Sequence, residues 1–459
     1  MNRFAIASML SVAGLAAAAS GQTIALLPLP VGDFVIVDAI SADGTKIVGQ
    51  ASTSNAFIDT GMVFDVPTQT YTLVGGQADA TTNTTGRMRG ISPNGQWAVG
   101  QAGSNRLPNV NSTATRPGLI YNVATGQKIE LPDTIDTSIQ IAYGYGVSNS
   151  GQRAVGFNSA SANGLAQRAV RWEVNTGTGI AGAPINLPLP TVVGTISSSR
   201  GQAISGDGAT VAGRLDLGGS NPRGFVIENV TGSSALLLPD LPGGSEVTDV
   251  EKMNAAGTVI VGTASGTAGA FTGSVGAFWK KTAPGTWTVT GLEPLPGATS
   301  AIAKATTEDG SRIFGETIGG GANRAFVWSS ASGSQSLRDL ALAAGVPLDG
   351  GDQLNSVEGV SSDGTTILGF GTFGGQSRIY LLTLPATNAC PNPSNVAGAN
   401  QSTTPDDALT ADDIIVFLGW YFANDSRADV AGPNQSTTPD SALTADDIIV
   451  FLGRYFSGC

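Results

Sequence analysis

One phrase recurs seven times along the chain: "AISADGTKIVGQ", "GISPNGQWAVGQ", "GVSNSGQRAVGF", "AISGDGATVAGR", "KMNAAGTVIVGT", "ATTEDGSRIFGE" and "GVSSDGTTILGF". Its glycines Gly44, Gly95, Gly151, Gly208, Gly257, Gly310 and Gly364 lie roughly 50 to 57 residues apart, the period of a propeller blade. Each phrase reads as a short apolar strand, a polar turn and an alternating strand that ends in Gly. Asp43, Asn94, Asp207, Asp309 and Asp363 precede the turn glycine in five copies. A short polar side chain there bonds nearby backbone amides while Gly takes the positive φ, so each copy is a hairpin signal.

Further along, most copies carry an aromatic strand, as in "RPGLIYN", "QRAVRWE", "NPRGFVIE", "GAFWKK", "NRAFVWS" and "SRIYLLT". A segment ending in Leu-Pro follows ("KIELP", "INLPLP", "LLLPDLP", "GLEPLP"), giving four strands per unit. The seventh unit lacks its Leu-Pro strand, whereas "TIALLPLP" at Thr23–Pro30 precedes the first turn with no unit of its own. The N-terminal strand is therefore expected to complete the seventh blade beside Ile379–Leu382 and close the ring. The fold class is all-β, a seven-bladed propeller over residues 22–386, followed by a small all-α module over 387–459.

The phrase followed by an Ala-Phe-x-Trp strand resembles the HAF repeats of secreted bacterial proteins, and the resemblance implies a β-propeller over about residues 23 to 385. The Ser-x-Asp-x-Gly look of the turns is also similar to the Asp-box of sialidases, where it is structural. Both readings make the turn residues scaffold. Trp172, Trp279 and Trp328 share one strand position and are expected to pack between blades; Trp97 and Trp287 fall outside it.

Composition narrows the function. The chain has no histidine, so Ser-His-Asp and Cys-His nucleophiles and His metal ligands are excluded. With 23 Lys plus Arg against 35 Asp plus Glu, the net charge is -12, which repels nucleic acid and anionic lipid. Residues 1–21 read as a secretory signal peptide: Arg3 precedes the apolar stretch Phe4–Leu15 and small residues follow. No other stretch approaches the length of a membrane span, so a secreted, bacterial cell-surface location is expected. A sialidase-like site would need three arginines on a carboxylate and a Tyr beside an acid. Arg89, Arg116, Arg200, Arg214, Tyr143 and Tyr145 supply the residue types, several of them where propellers line their central channel, but without a diagnostic spacing.

The end of the chain is a duplication. Asn395–Phe422 and Asp429–Phe456 align without a gap at an offset of 34. In each copy a Gly/Asn/Pro-rich loop leads into Leu-Thr-Ala-Asp-Asp and an apolar run. Thr410 and Thr444 suit a helix N-cap, with Asp413 and Asp447 three positions on, as in a capping box. Ile414, Phe417, Leu418 and Tyr421 recur at helical spacing, as do Ile448, Phe451, Leu452 and Tyr455, so two helices can bury these stripes against each other.

This tail resembles a dockerin, in particular the GC-type dockerin that ends in Gly-Cys as Gly458-Cys459 does here. The resemblance implies a cohesin-like or cell-envelope protein as partner and calcium as the bound ion. Aligned on the helix starts, Asp406 and Asp440 fall at loop position 5, Thr410 and Thr444 at 9, and Asp413 and Asp447 at 12. Counting further upstream meets Ser402, Thr404, Ser436 and Thr438 in place of acids. The two termini of a dockerin lie side by side, which implies a disulfide between Cys390 and Cys459, the only cysteines. The expected function is non-catalytic: a binding or structural propeller, with a carbohydrate or protein ligand, displayed through its docking tail. A sialidase-like or polysaccharide-lyase-like enzyme is the alternative.

Overall fold

The computed structural model describes residues 22–28, 34–53, 58–74, 86–101, 115–116, 118–132, 140–160, 165–218, 221–232, 234–245, 247–320, 323–384, 394–397, 401 and 410–456. Seven sheets, antiparallel except for the two-residue strand Thr115–Arg116, account for the described strands up to residue 383, and each sheet follows one copy of the phrase. Their first strands are Phe34–Ile40, Arg87–Ile91, Gln140–Val147, Ile196–Ile204, Thr248–Met253, Ser300–Thr306 and Gln353–Val360. Each of these neighbours the next, and the seventh neighbours the first, so they enclose a central channel. The protein is a seven-bladed β-propeller.

The seam closes as the end segments require. Thr23–Leu26 pairs antiparallel with Tyr380–Thr383, Thr23 opposite Thr383 and Leu26 opposite Tyr380, as the fourth strand of the seventh blade. Leu27 N extends the ladder to Ile379 O at 3.1 Å. In blade six a short helix, α1 (Leu337–Ala343), follows the last strand.

The seven turns are joined to one another. Gly44 N donates to Ser41 O at 2.9 Å, while the Asp43 carboxylate accepts from the Ser41 hydroxyl and from Thr45 N. All seven turn glycines have φ between 70° and 76°. The residue after each Ser-like position then links to the next blade: Ala42 N to Pro93 O, Asn149 N to Gly206 O, Gly206 N to Ala255 O, Glu308 N to Ser362 O and Ser362 N to Ala42 O, all at 2.7–2.9 Å. Pro93 has no N–H, and Asn94 Nδ2 instead donates to Asn149 O at 3.0 Å. Asn254 Nδ2 supplies the link to Glu308 O at 2.6 Å. A belt of hydrogen bonds thus circles one mouth of the channel.

The second strand of each blade does not stop at its glycine, as the alternating pattern suggests; Lys46–Thr53 runs through Gly49. The glycine is required by a close approach. A Cβ on Gly49, Gly100, Gly156, Gly213, Gly262, Gly315 or Gly369 would lie 1.8–2.3 Å from a first-strand carbonyl oxygen. Beside it, every first strand carries a β-bulge: the registers skip one residue between Val37 and Ala39, Met88 and Gly90, Gly144 and Gly146, Gly201 and Ala203, Val250 and Lys252, Ala303 and Ala305, and Val357 and Gly359.

Between blades, aromatic residues and the Leu-Pro segments meet. Trp172 and Trp279 are fully buried, and their indole N–H groups donate to Pro132 O and Pro239 O of the preceding blades at 2.8 Å. Trp328 is half-buried against Phe278, with ring centroids 5.2 Å apart. Trp97 and Trp287 are buried as well.

Gly151 and Gly285 separate conformation from packing. Both have φ +71°, but a Cβ at Gly151 would lie 2.4 Å from the Trp97 indole, and one at Gly285 would meet nothing within 4 Å. Gly285→Ala is expected to cost about 1–2 kcal/mol from backbone alone. Gly151→Ala should cost a further 1–3 kcal/mol, roughly, from overpacking. Urea denaturation of the two variants measures the gap, and equal losses would refute the packing role.

Candidate functional site

The residue that each bulge leaves unpaired is Asp38, Arg89, Tyr145, Gln202, Glu251, Lys304 and Glu358, one per blade. All seven are part-exposed and line a single cavity of about 490 Å³ at the belted mouth. The scaffold positions around them are nearly constant from blade to blade, whereas the bulge position carries an acid, a base, an aromatic or an amide. The next residue is small in six blades (Ala39, Gly90, Gly146, Ala203, Ala305, Gly359). In the fifth it is Lys252.

A second tier lies one step along the first strands, where Arg87, Tyr143, Arg200 and Asp249 sit. Tyr143 stacks on Tyr145 and on Phe157 with centroids 5.3 and 5.8 Å apart. The Arg89 guanidinium lies 5.5 Å from the Tyr143 ring centre and 5.9 Å from that of Tyr145. Of the arginines and tyrosines singled out in the sequence, Arg89, Tyr143, Tyr145, Arg200 and Arg214 come together here. Arg116 lies in Thr115–Arg116, a two-residue strand parallel to Gln140–Val147.

Most charges in the channel are matched. Asp38 binds Arg87 at 2.6 Å and Arg89 at 3.2 Å. Arg214 binds Asp216 at 2.7 Å and also pairs with Asp249. Lys252 sends its ammonium across the channel to the main-chain carbonyls of Asp38, at 2.6 Å, and Glu358. Two pairs are long: Arg200 to Asp216 at 3.9 Å and Lys304 to Glu251 at 3.7 Å. Blades one to four contribute Asp38, Arg87, Arg89, Arg200, Arg214 and Asp216, four bases against two acids. Blades five to seven contribute Asp249, Glu251, Lys252, Lys304, Glu316 and Glu358, four acids against two bases.

Burial pushes the Asp249 carboxyl up to about 6, against the opposing pull of Arg214. Burial likewise raises Glu358 and Glu316 and lowers Lys252. Lys304 is held above its ordinary value. Burial works against its charge, but Glu251, Glu358 and Glu316 outweigh it.

The tail helices are α2 (Ala411–Phe422) and α3 (Ala445–Phe456). Phe417 and Phe451 stack at 3.8 Å, surrounded by Ile414, Leu418, Tyr421, Ile448, Leu452 and Tyr455, so the two stripes meet. Thr410 caps α2, and the capping box with Asp413 is complete. Thr444 Oγ1 accepts from Asp446 N at 3.2 Å at the start of α3. Asp413 and Asp447 are fully buried. Asp413 accepts from the backbone N–H of Val396, Ala397 and Thr410, and Asp447 from those of Val430, Ala431 and Thr444, all at 2.7–2.9 Å. In each carboxylate Oδ1 takes two of these donors and Oδ2 one, which ties the preceding loop to the helix start. Asp440 is exposed and accepts from Ala442 N, and Asp429 accepts from Asp440 N and Ser441 N. Among the described residues no three acidic ligands converge. Asp406, Cys390, Cys459 and residues 1–21, where a signal peptide is expected, lie outside the described residues.

Asp249 predicts a pH signature. Because its folded-state pKa of about 6 exceeds the ordinary 3.8, the folded chain holds the proton longer than the unfolded one. Its contribution to stability therefore falls as pH rises through this window and stays low above it. Asp249→Asn should gain stability relative to the unaltered chain between about pH 4 and 7, the difference levelling off above. Denaturation midpoints across that range test this, and a pH-independent difference would contradict it.

No family model matches the sequence, and no curated protein matches it. Solved propellers resemble the chain in fold. The β-propeller domain of the trilobed protease from Pyrococcus furiosus is 8% identical, with a TM-score of 0.48 over 76% of this chain and 94% of that one. An oligogalacturonate lyase from Vibrio parahaemolyticus is 13% identical, with a TM-score of 0.45 over 79% and 93%. A post-proline cleaving enzyme from Rickettsia typhi is 8% identical, with a TM-score of 0.49 over 78% of this chain and 53% of that one. Among the described residues no helix is long and apolar enough to cross a membrane.

Proposed function

We propose that the chain is an exported, non-catalytic binding protein whose propeller takes its ligand in the belted mouth and whose helical tail docks it to a cell-envelope partner. The observation that carries the binding role is the bulge ring. A repeat built seven times on recurring turns and glycines varies at the bulge position, whose seven side chains all line the cavity, which is where recognition by assorted side chains would be placed. Binding rather than turnover is favoured because Asp38, Arg87, Arg89, Arg214 and Asp216 are already committed to one another. Export rests on the leader-like residues 1–21. Docking rests on the duplicated tail, where Ile415 and Phe422 on α2 and their counterparts Ile449 and Phe456 on α3 are exposed.

A second reading, a carbohydrate-active enzyme, has one observation in its favour. Asp249, with its carboxyl raised to about 6 in the cavity, has the character of a general acid. The two readings separate on incubation with a polysaccharide panel and on glycan and peptide arrays. Saturable capture without products, lost in Arg89→Ala and Tyr145→Ala at unchanged melting temperature, is the expected result. Cleavage products that vanish in Asp249→Asn would establish the enzyme instead.

For the tail, Asp447→Ala leaves three backbone donors without their acceptor and is expected to cost roughly 3 kcal/mol. Asp446→Ala at the same helix start should cost under about 1 kcal/mol. Helicity followed by circular dichroism with calcium and with chelator checks this. A loss for Asp447→Ala that appears only with calcium would return that residue to the role of metal ligand.

A further inference from the structure

The channel mouth is not equally satisfied all round, and the slack gathers at blades four and five. Arg200 makes the longest ion pair of the channel, 3.9 Å, and its Nε has no protein partner. Gln202, on the same strand, donates its amide to Val250 O at 3.5 Å and leaves Oε1 without a partner. Glu251 on the adjacent strand reaches only Lys304, at 3.7 Å. That lysine is shared with Glu316 and Glu358, which also act on it. The three residues line one cavity, with Arg200 Nε and Gln202 Oε1 buried and unpartnered in its wall.

We infer that this corner is a subsite for a small zwitterion of the amino-acid class, its carboxylate on Arg200 and its ammonium on Glu251 and Gln202 Oε1. The inference rests on the binding role proposed above and specifies the ligand. Arg200 offers a planar fork suited to a carboxylate. An ammonium needs acceptors, and Gln202 Oε1 with Glu251 provides them. The larger charge pattern agrees, since the wall of blades one to four is cationic and the wall of blades five to seven anionic. A purely anionic ligand would meet Glu251 unfavourably, and a purely cationic one Arg200. A zwitterion answers both at once. Tyr145, the next ring member on the arginine side, lies beside Arg89 and provides an apolar face for the remainder of the ligand.

The test is calorimetric titration of the full chain with the free L-amino acids, followed by the N-acetyl and C-amide derivatives of the tightest. One site per chain is expected. Each derivative, and each of Arg200→Gln and Glu251→Gln, should weaken binding roughly ten- to a hundredfold, the range for charged hydrogen bonds. The derivatives leave the protein untouched, so the result stands even if a variant folds poorly. Derivatives that bind as well as their parent would overturn the inference. So would an array ligand held by the mouth and lost in Tyr145→Ala while no amino acid binds, which spares the binding role. Silence of both arrays and amino acids would overturn the two together.

Discussion

The contact on which the site depends is the approach of a second-strand glycine to a first-strand carbonyl, seven times over. At 1.8–2.3 Å there is no room for a Cβ, so any other residue would force the strands apart. That closeness accompanies the bulge, and the bulge turns one extra residue out of the ladder toward the channel axis. The glycine therefore has two effects: it lets the two strands twist tightly, and it fixes which side chain faces the cavity. Asp38, Arg89, Tyr145, Gln202, Glu251, Lys304 and Glu358 owe their shared height in the channel to this one backbone arrangement, whatever their chemistry.

Gathering so many ionisable groups around one axis is costly unless they neutralise one another. Much of the cost is met by neighbours on adjacent blades, as with Asp38 and the two arginines of blade two, or Arg214 and Asp249. These pairs also tie blades together near the axis, where the sheets are narrowest. In blades five to seven burial raises Asp249, Glu316 and Glu358, and Lys304 is shared among Glu251, Glu358 and Glu316.

Recurrence in the sequence exposes what every blade shares, which is scaffold. Turn, strand pair, Leu-Pro segment and the closing strand at Thr23–Leu26 were all legible from that, as were the two helical stripes of the tail. The ring was not, because its members sit just upstream of the repeated phrase and differ from copy to copy. A comparison of the seven copies residue by residue locates them: three positions before each Ser, Thr or Asn of the turn is the one that changes character. Reading the phrase-final glycine as a strand end hid its partner bulge for the same reason, since Gly weakens strands unless another backbone comes close. In the tail, the spacing of Asp413 and Asp447 fits both a capping box and a calcium loop. Each carboxylate is buried and accepts three backbone donors, as the capping role requires.

Closure of the ring is secured at three levels that fail independently. At the outside, the N-terminal strand pairs with Tyr380–Thr383. At the mouth, the belt passes from Ser362 of blade seven to Ala42 of blade one; where Pro93 lacks a donor the side chain of Asn94 stands in, and the side chain of Asn254 makes the link to Glu308 O. At the axis, Lys252 departs from the small residue that six blades keep and reaches the carbonyls of Asp38 and Glu358, which belong to blades one and seven. A departure from the repeat that spans the channel to the first and seventh blades, whose covalent link runs through the N-terminal strand, is explained by its geometry. It holds the first and last blades at a fixed distance while the outer strand bears the chain ends.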